Sequence, residues 1–354
     1  MKQNLILAFT IMLAYGCTQE SISPLQGCES NNELIVYCGF QNPEDLAITP
    51  DNKFLIVAEF GGMAPLAPMT SGSLSFFDLD KKLKIMPVIK FGPNEWGEPS
   101  CHRDASIPFG PHGIDLIKRD DGRFQLAVVS HYPYESIEMF QLIQDQDWYL
   151  EWKGCINLNE KYYFNDVALD REGNFYATNM FAKDYSLVRL VWNVFMKSNT
   201  GLVAYWNKQN GFKELGFTAG SFPNGIALDM ANNNLIVNYN LGDKTSLYSL
   251  ERQQVISEYK HNSPDNVVIR NGYVWVTNHD HGAMDTFKCG DNSNCPLPFS
   301  INQLSLKNLA PIASHSFENT NMGVGTVGLV HNHSIWIGSY HSDRLAEARL
   351  PLSE

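Results

Sequence analysis

The sequence is short of positive charge. Lysine and arginine together number 26 against 38 aspartates and glutamates, which gives a net charge of −12 at pH 7. A nucleic-acid partner needs a basic face to neutralise phosphates, so the balance argues against one. The sequence also has no Cys-x-x-Cys pair, which removes the common redox and zinc spacings. Its N-terminal apolar run, Leu5–Ala14, is too short to span a bilayer as a mature helix. Preceded by Lys2 and followed by Ala14-Tyr15-Gly16-Cys17, the run reads as an export signal over residues 1–16. Small residues at Ala14 and Gly16 suit ordinary cleavage, which leaves a secreted or periplasmic chain. Gly16-Cys17 also suits a bacterial lipoprotein anchored to the membrane by a lipid on Cys17. Residues 17–27 are polar and turn-rich, as a tether would be.

Seven cysteines are an odd number, and setting Cys17 aside leaves six. In an exported chain these can pair. Cys28 with Cys38 and Cys289 with Cys295 are close in sequence, which leaves Cys101 and Cys155 for each other. Sequence does not fix connectivity, and these are the simplest pairs.

A short phrase recurs six times, at Pro43–Glu59, Pro111–His131, Phe164–Asn179, Pro223–Asn240, Pro264–His279 and Val324–His341. Each copy has a polar cluster, an apolar run, a turn of Asp, Asn or Gly, a second apolar run and a polar end. That grammar is a β-hairpin preceded by a polar loop. From Glu44 to His112, Asn165, Asn224, Asp265 and Thr326, successive steps are 68, 53, 59, 41 and 61 residues. These steps suit four-stranded blades with variable loops, and six units closed in a ring make an all-β, six-bladed propeller over residues 28–354. A solenoid would show end caps and more regular periods. In a propeller the six polar clusters, each lying just before an inner strand, converge at one end of a central tunnel.

Glu44, Asp45, Asn165, Asp166, Asn224, Asp265 and Asn266 all occupy this place in their repeats. Carboxylates and amides are hard oxygen donors, and a ring of them without cysteine suits Ca²⁺ over Zn²⁺. Asp and Asn before a strand also serve as turn formers that bond their own backbone. The register across several repeats favours the metal reading. His112 and His131 stand at the two ends of one hairpin, where pairing can bring them together as a proton relay. His279 ends a strand on the same face, as a pocket, supporting or packing residue.

These phrases carry a family resemblance. Glu44-Asp45-Leu46, Pro111-His112-Gly113-Ile114 with the Val-Val-Ser-His ending at His131, Asn165-Asp166, Asn224-Gly225-Ile226 and Asp265-Asn266 stand in the order seen in the paraoxonase/arylesterase family. The chain resembles that family from about Glu44 to Ser342, within the wider group of gluconolactonases and strictosidine-synthase-like proteins. The resemblance implies a catalytic Ca²⁺ held by Glu44, Asn165, Asn224, Asp265 and Asn266. It implies a deeper structural Ca²⁺ held by Asp45, Asp166 and the carbonyl of Ile114. His112 and His131 would be the catalytic dyad, with Asp265 as an alternative base or nucleophile and Phe222 on the pocket wall. The expected activity is hydrolysis of small lactones and aryl esters. Two alternatives are another propeller enzyme, such as a sugar-lactone hydrolase or a strictosidine-synthase-like protein, and a non-catalytic binding propeller stapled by Ca²⁺. Leu345–Glu354 has no cysteine, so the ring closure by disulfide found in vertebrate members is excluded. The family carries a helix where this chain has Tyr185–Trp206, with Leu187, Leu190, Val191, Val194 and Phe195 at helical spacing. That segment is expected to form a lid, a membrane-facing helix or a helix packed on the propeller.

Overall fold

The computed structural model describes residues 23–350 apart from 24, 63–68, 159–160, 283–284, 286–293 and 319. All six repeats form antiparallel hairpins, and each hairpin supplies the two innermost strands of one sheet. The inner strands are Pro43–Ile48, Pro111–Lys118, Phe164–Leu169, Pro223–Asp229, Pro264–Arg270 and Gly325–His331. Each lies against the next around the ring, and the sixth returns to the first. The result is a six-bladed propeller of four-stranded blades. Blade 2 adds a fifth, parallel strand, Ile89–Phe91, on its outer edge.

Each blade is sandwiched by two neighbours, so its strands need apolar residues on both faces. Six apolar clusters follow from this, one in each blade-to-blade interface. The interface of blades 2 and 3, for example, joins Val129, Ile137 and Met139 to Phe164, Phe175 and Trp206.

The ring closes through both ends of the chain. Leu34–Cys38 pairs antiparallel with Arg344–Arg349 and becomes the outermost strand of blade 6. Main-chain hydrogen bonds between these two strands close the ring. Cys28 is bonded to Cys38, pinning the segment that leads into this seam, and Cys101 is bonded to Cys155 in blade 2. Cys295 is also disulfide-bonded, while Cys289 and Cys17 lie outside the described residues. Disulfides of this kind persist in oxidising compartments, in keeping with an exported protein.

The expected helix is shorter than its apolar run. Helix α1 covers Leu187–Met196, while Gly201–Asn207 is the third strand of blade 3. The β-branched and aromatic residues Val203, Tyr205 and Trp206 fit a strand between two blades, and tertiary packing decides the second half of the segment. Among the described residues, no helix is long and apolar enough to cross a membrane.

Candidate functional site

The polar clusters lie inside the inner strands, at their first residues, not before them as expected. The reason is a β-bulge repeated in every blade. The register of the inner hairpin shifts between Pro43 and Asp45, Pro111 and Ile114, Phe164 and Val167, Pro223 and Ile226, Pro264 and Val267, and Gly325 and Gly328. A bulge inserts an extra residue, breaks the ladder locally and re-aims a side chain. The six bulges therefore collect Glu44, His112, Asn165, Asn224, Asp265 and Thr326 at one level, and Asn266, one residue beyond Asp265, reaches back to Glu44. All of these are buried. Two bulges contain glycine for a steric reason. A Cβ on Gly113 would sit 2.5 Å from Asp166 Oδ1, and one on Gly225 would sit 2.5 Å from the carbonyl oxygen of Asp265.

The oxygens at this level lack partners. Glu44 Oε2, Asn165 Oδ1, Asn224 Oδ1 and Asn266 Oδ1 are buried and accept no hydrogen bond. Their nitrogens and second oxygens are better placed. Asn266 Nδ2 donates to Glu44 Oε1 at 3.0 Å, and Asn165 Nδ2 faces the Met180 sulfur at 3.5 Å. Asp265 Oδ2 lies 2.9 Å from His279 Nε2, although the pair is not aligned as a hydrogen bond. Native proteins rarely leave several buried acceptors orphaned together. A set of carboxylate and amide oxygens with free lone pairs fits a hard cation of the Ca²⁺ type. No three His, Cys, Asp or Glu groups close on one point among the described residues, so the amides are needed to complete the set.

One residue further along the strands lie Asp45 and Asp166. Asp45 Oδ1 accepts from Leu46 N at 2.8 Å, and its Oδ2 accepts from Ile114 N of the next blade at 2.7 Å. Asp166 does the same with Val167 N at 2.7 Å and Ile226 N at 2.8 Å. These two aspartates bond their own backbone, as turn formers do, and also latch neighbouring inner strands. The level above is tied across strands by Thr326 Oγ1, which donates to the Glu44 carbonyl at 2.6 Å, and by Asn266 Nδ2, but its four partnerless oxygens accept nothing. Burial pushes Asp45 up to about 7 against these amides, with Asp115 and Asp265 adding to the rise. Asp166 is pushed well above its ordinary value by burial and then by Asp45. Glu44 is raised by burial and then by Asp45, Asp265 and Asp166. The charged neighbours that act on Glu44 are all carboxylates, and a cation bound among them would favour their ionised forms.

His112 and His131 meet as the hairpin predicted. His112 Nδ1 is 3.0 Å from His131 Nε2, and His112 Nε2 is 3.7 Å from Glu44 Oε1. Burial, then the neighbouring His131, hold the His112 pKa well below the ordinary histidine value. Phe60 stacks on His112 with ring centres 4.6 Å apart, and the Tyr163 ring meets His131 edge-on at 5.1 Å. The structure adds a residue that the sequence reading missed. Glu135 Oε2 lies 2.6 Å from His131 Nδ1. Glu135 lies four residues past the end of the recurring phrase, so only the spacing His-x-x-x-Glu hints at it.

Aromatic side chains cap the same face. Phe222 packs with Phe60, Tyr163, Phe181, Tyr185 and Tyr340. Leu190 of α1 is buried in this cluster, whereas Val188, Trp192 and Phe195 are 80%, 61% and 79% exposed. His279 stacks on His281 and faces Tyr340. Surface grooves of about 540–640 Å³ lie elsewhere between blades, and no ring residue lines them.

A family model decides the relationship, matching residues 28–341 as arylesterase. The chain belongs to the arylesterase family. No curated protein matches the sequence significantly. Two solved propellers resemble it in fold. A luciferin-regenerating enzyme superposes with a TM-score of 0.55 at 11% identity, covering 90% of this chain and 96% of its own. A gluconolactonase of Xanthomonas campestris superposes with a TM-score of 0.52 at 10% identity, covering 93% and 95%. In this arylesterase-family chain, the residues expected to bind metal or activate water from sequence fall on the bulge level, the residue below it or the adjoining hairpin end, apart from Ile114, which lies two residues beyond His112, where the ladder resumes.

Proposed function

We propose that this chain is an exported, calcium-dependent hydrolase of lactones and aryl esters. The observation that carries the reading is the set of orphaned oxygens at Glu44, Asn165, Asn224 and Asn266, with the His112–His131 pair directly beside it. Glu44, Asn165, Asn224, Asp265 and Asn266 would hold a Ca²⁺ that polarises a carbonyl oxygen and stabilises the charge developing on it. Asp45, Asp166 and the main chain of Ile114 would hold a second, structural Ca²⁺ between blades.

The chain's own groups then have distinct tasks. His112 presents Nε2 to the oxygen ring and takes a proton from water as the water attacks the carbonyl carbon. His131 stands behind His112 and carries part of the positive charge. Asp265 is the alternative base. Its buried place among the partnerless oxygens of the ring favours a ligand role. Phe222 and its aromatic neighbours receive the apolar or aryl part of the substrate and exclude water. Helix α1 sits at this mouth with an apolar outer face, which suits contact with a lipid surface or an apolar substrate reservoir. A lipid on Cys17 would hold the enzyme at a bacterial membrane; without it the protein is periplasmic or secreted.

The test is hydrolysis of a panel of γ- and δ-lactones and phenyl esters by the purified protein and by His112→Gln. The variant should keep its fold and lose about 10²–10⁴-fold in turnover, the usual cost of losing a general base. A variant that hydrolyses every substrate at the parental rate would exclude His112 as the base.

A further inference from the structure

One buried acid in this region belongs to neither ligand set. Glu135 is 1% exposed, in the turn between the strands Phe124–Ser130 and Ser136–Gln144. Its Oε2 lies 2.6 Å from His131 Nδ1, and its Oε1 is buried without a hydrogen-bond partner. The buried guanidinium of Arg103, from the same blade, is committed to Glu138 at 2.7 Å. Both ends of the turn are fixed by the main chain. His131 N donates to the Gly110 carbonyl at 2.9 Å, and Leu158 N donates to the Glu135 carbonyl at 3.0 Å. A carboxylate is costly to bury, and this one has a histidine as its polar contact.

The contact determines where the protons sit. An ionised carboxylate only accepts hydrogen bonds, so His131 must carry its proton on Nδ1. A neutral His131 then has an acceptor at Nε2. Its neighbour at 3.0 Å, His112 Nδ1, must therefore donate. That leaves His112 Nε2 as the free lone pair, and this is the nitrogen that faces the oxygen ring. Reversed tautomers would turn an N–H toward the ring and leave no base there. We infer that Glu135 is a positioning residue that fixes both histidines in the tautomers required for His112 Nε2 to accept a proton. The inference rests on the reading of His112 as the base.

The proton balance closes without another reactant. As the water oxygen bonds to the carbonyl carbon, one water proton moves to His112 Nε2. The Nδ1 proton of His112 shifts to His131 Nε2, and the resulting imidazolium faces the Glu135 carboxylate. When the acyl C–O bond breaks, the shift reverses and His112 returns its proton to the leaving oxygen. Hydrolysis yields one acid and one alcohol or phenol, and the cycle returns both histidines to their starting tautomers.

The test combines a signal from the resting protein with kinetics. In ¹⁵N-labelled wild-type protein, His131 should be protonated at Nδ1 with a far-downfield N–H resonance, and His112 should be unprotonated at Nε2. The opposite tautomers would overturn the inference even if no Glu135 variant folds. Glu135→Leu, which removes the acceptor, should lower kcat by on the order of 10²-fold or more with little change in KM. Glu135→Gln, which keeps an acceptor oxygen, should recover part of that loss. Placed on His112→Gln, Glu135→Leu should add almost nothing, because residues acting through one another are not additive. A folded Glu135→Leu protein with wild-type kcat, beside an impaired His112→Gln, overturns the inference and leaves His112 as the base. Wild-type turnover in His112→Gln overturns both.

Discussion

Removing divalent cations should invert the pH dependence of stability. Asp45 is buried, and burial moves its pKa from 3.8 to about 7 despite hydrogen bonds from Ile114 and Leu46. The folded state then holds its proton more tightly than the unfolded chain does. Below about pH 4 both states are protonated, and the aspartate costs nothing. As pH rises from 3.8 toward 7, the unfolded chain ionises first and stability falls. Above 7 the loss is complete, at roughly 4 kcal/mol for about 1.4 kcal/mol per pKa unit. Glu44 and Asp166 move in the same direction for the same causes and deepen the loss. Bound Ca²⁺ reverses the sign, because it requires the ionised carboxylates and is released as they protonate. At roughly 2–4 °C per kcal/mol for a domain of this class, the gap between loaded and chelated protein should reach on the order of 10 °C near pH 8. It should shrink toward pH 5. Thermal melts followed by circular dichroism, in excess calcium and in excess chelator, read this directly. Parallel curves, or a chelated protein most stable at high pH, would refute the reasoning.

Gly225→Ala should destabilise by about 1–3 kcal/mol and weaken calcium binding, because its Cβ would meet the Asp265 carbonyl oxygen at 2.5 Å and Asn266 Cα at 2.7 Å. Gly216→Ala, with no atom within 4 Å of its Cβ, should melt near wild type. Opening the Cys101–Cys155 bridge by double serine substitution should cost about 4 kcal/mol, given its separation of 54 residues, against about 3 kcal/mol for Cys28–Cys38 at 10 residues. Chemical denaturation of the two variants checks the order. Replacing exposed Trp192 and Phe195 by serine should reduce sedimentation with phospholipid vesicles while leaving the melting temperature unchanged, since neither side chain is buried.

The repeated hairpins were legible because propeller blades impose one grammar on each repeat. The bulges were not, since register is set between strands. Their trace is the paired polar residues, such as Asn165-Asp166, that precede each apolar run. Ring closure was hidden for a related reason. Leu34–Cys38 reads as a short strand anywhere, and its partner lies at the far end of the chain, at Arg344–Arg349. The segment after Met196 misled the helical reading, because Val203, Tyr205 and Trp206 are as apolar as the helix before them. Helix α1 itself was visible in the spacing, and Leu190 does face the protein, but Phe195 does not. Glu135 escaped because it acts within one turn and belongs to no repeat. The partnerless amide oxygens could only be recognised once three-dimensional neighbours were known.

The most direct measurement is calcium content and hydrolysis rate in the same samples. Purified protein, stripped and then titrated with calcium, should regain lactone and aryl-ester hydrolysis as it binds two ions per chain. Asn224→Ala should retain one ion, held by Asp45 and Asp166, and remain inactive at saturating calcium. Full activity in protein shown by elemental analysis to be free of divalent metal, or an active Asn224→Ala, would contradict the account.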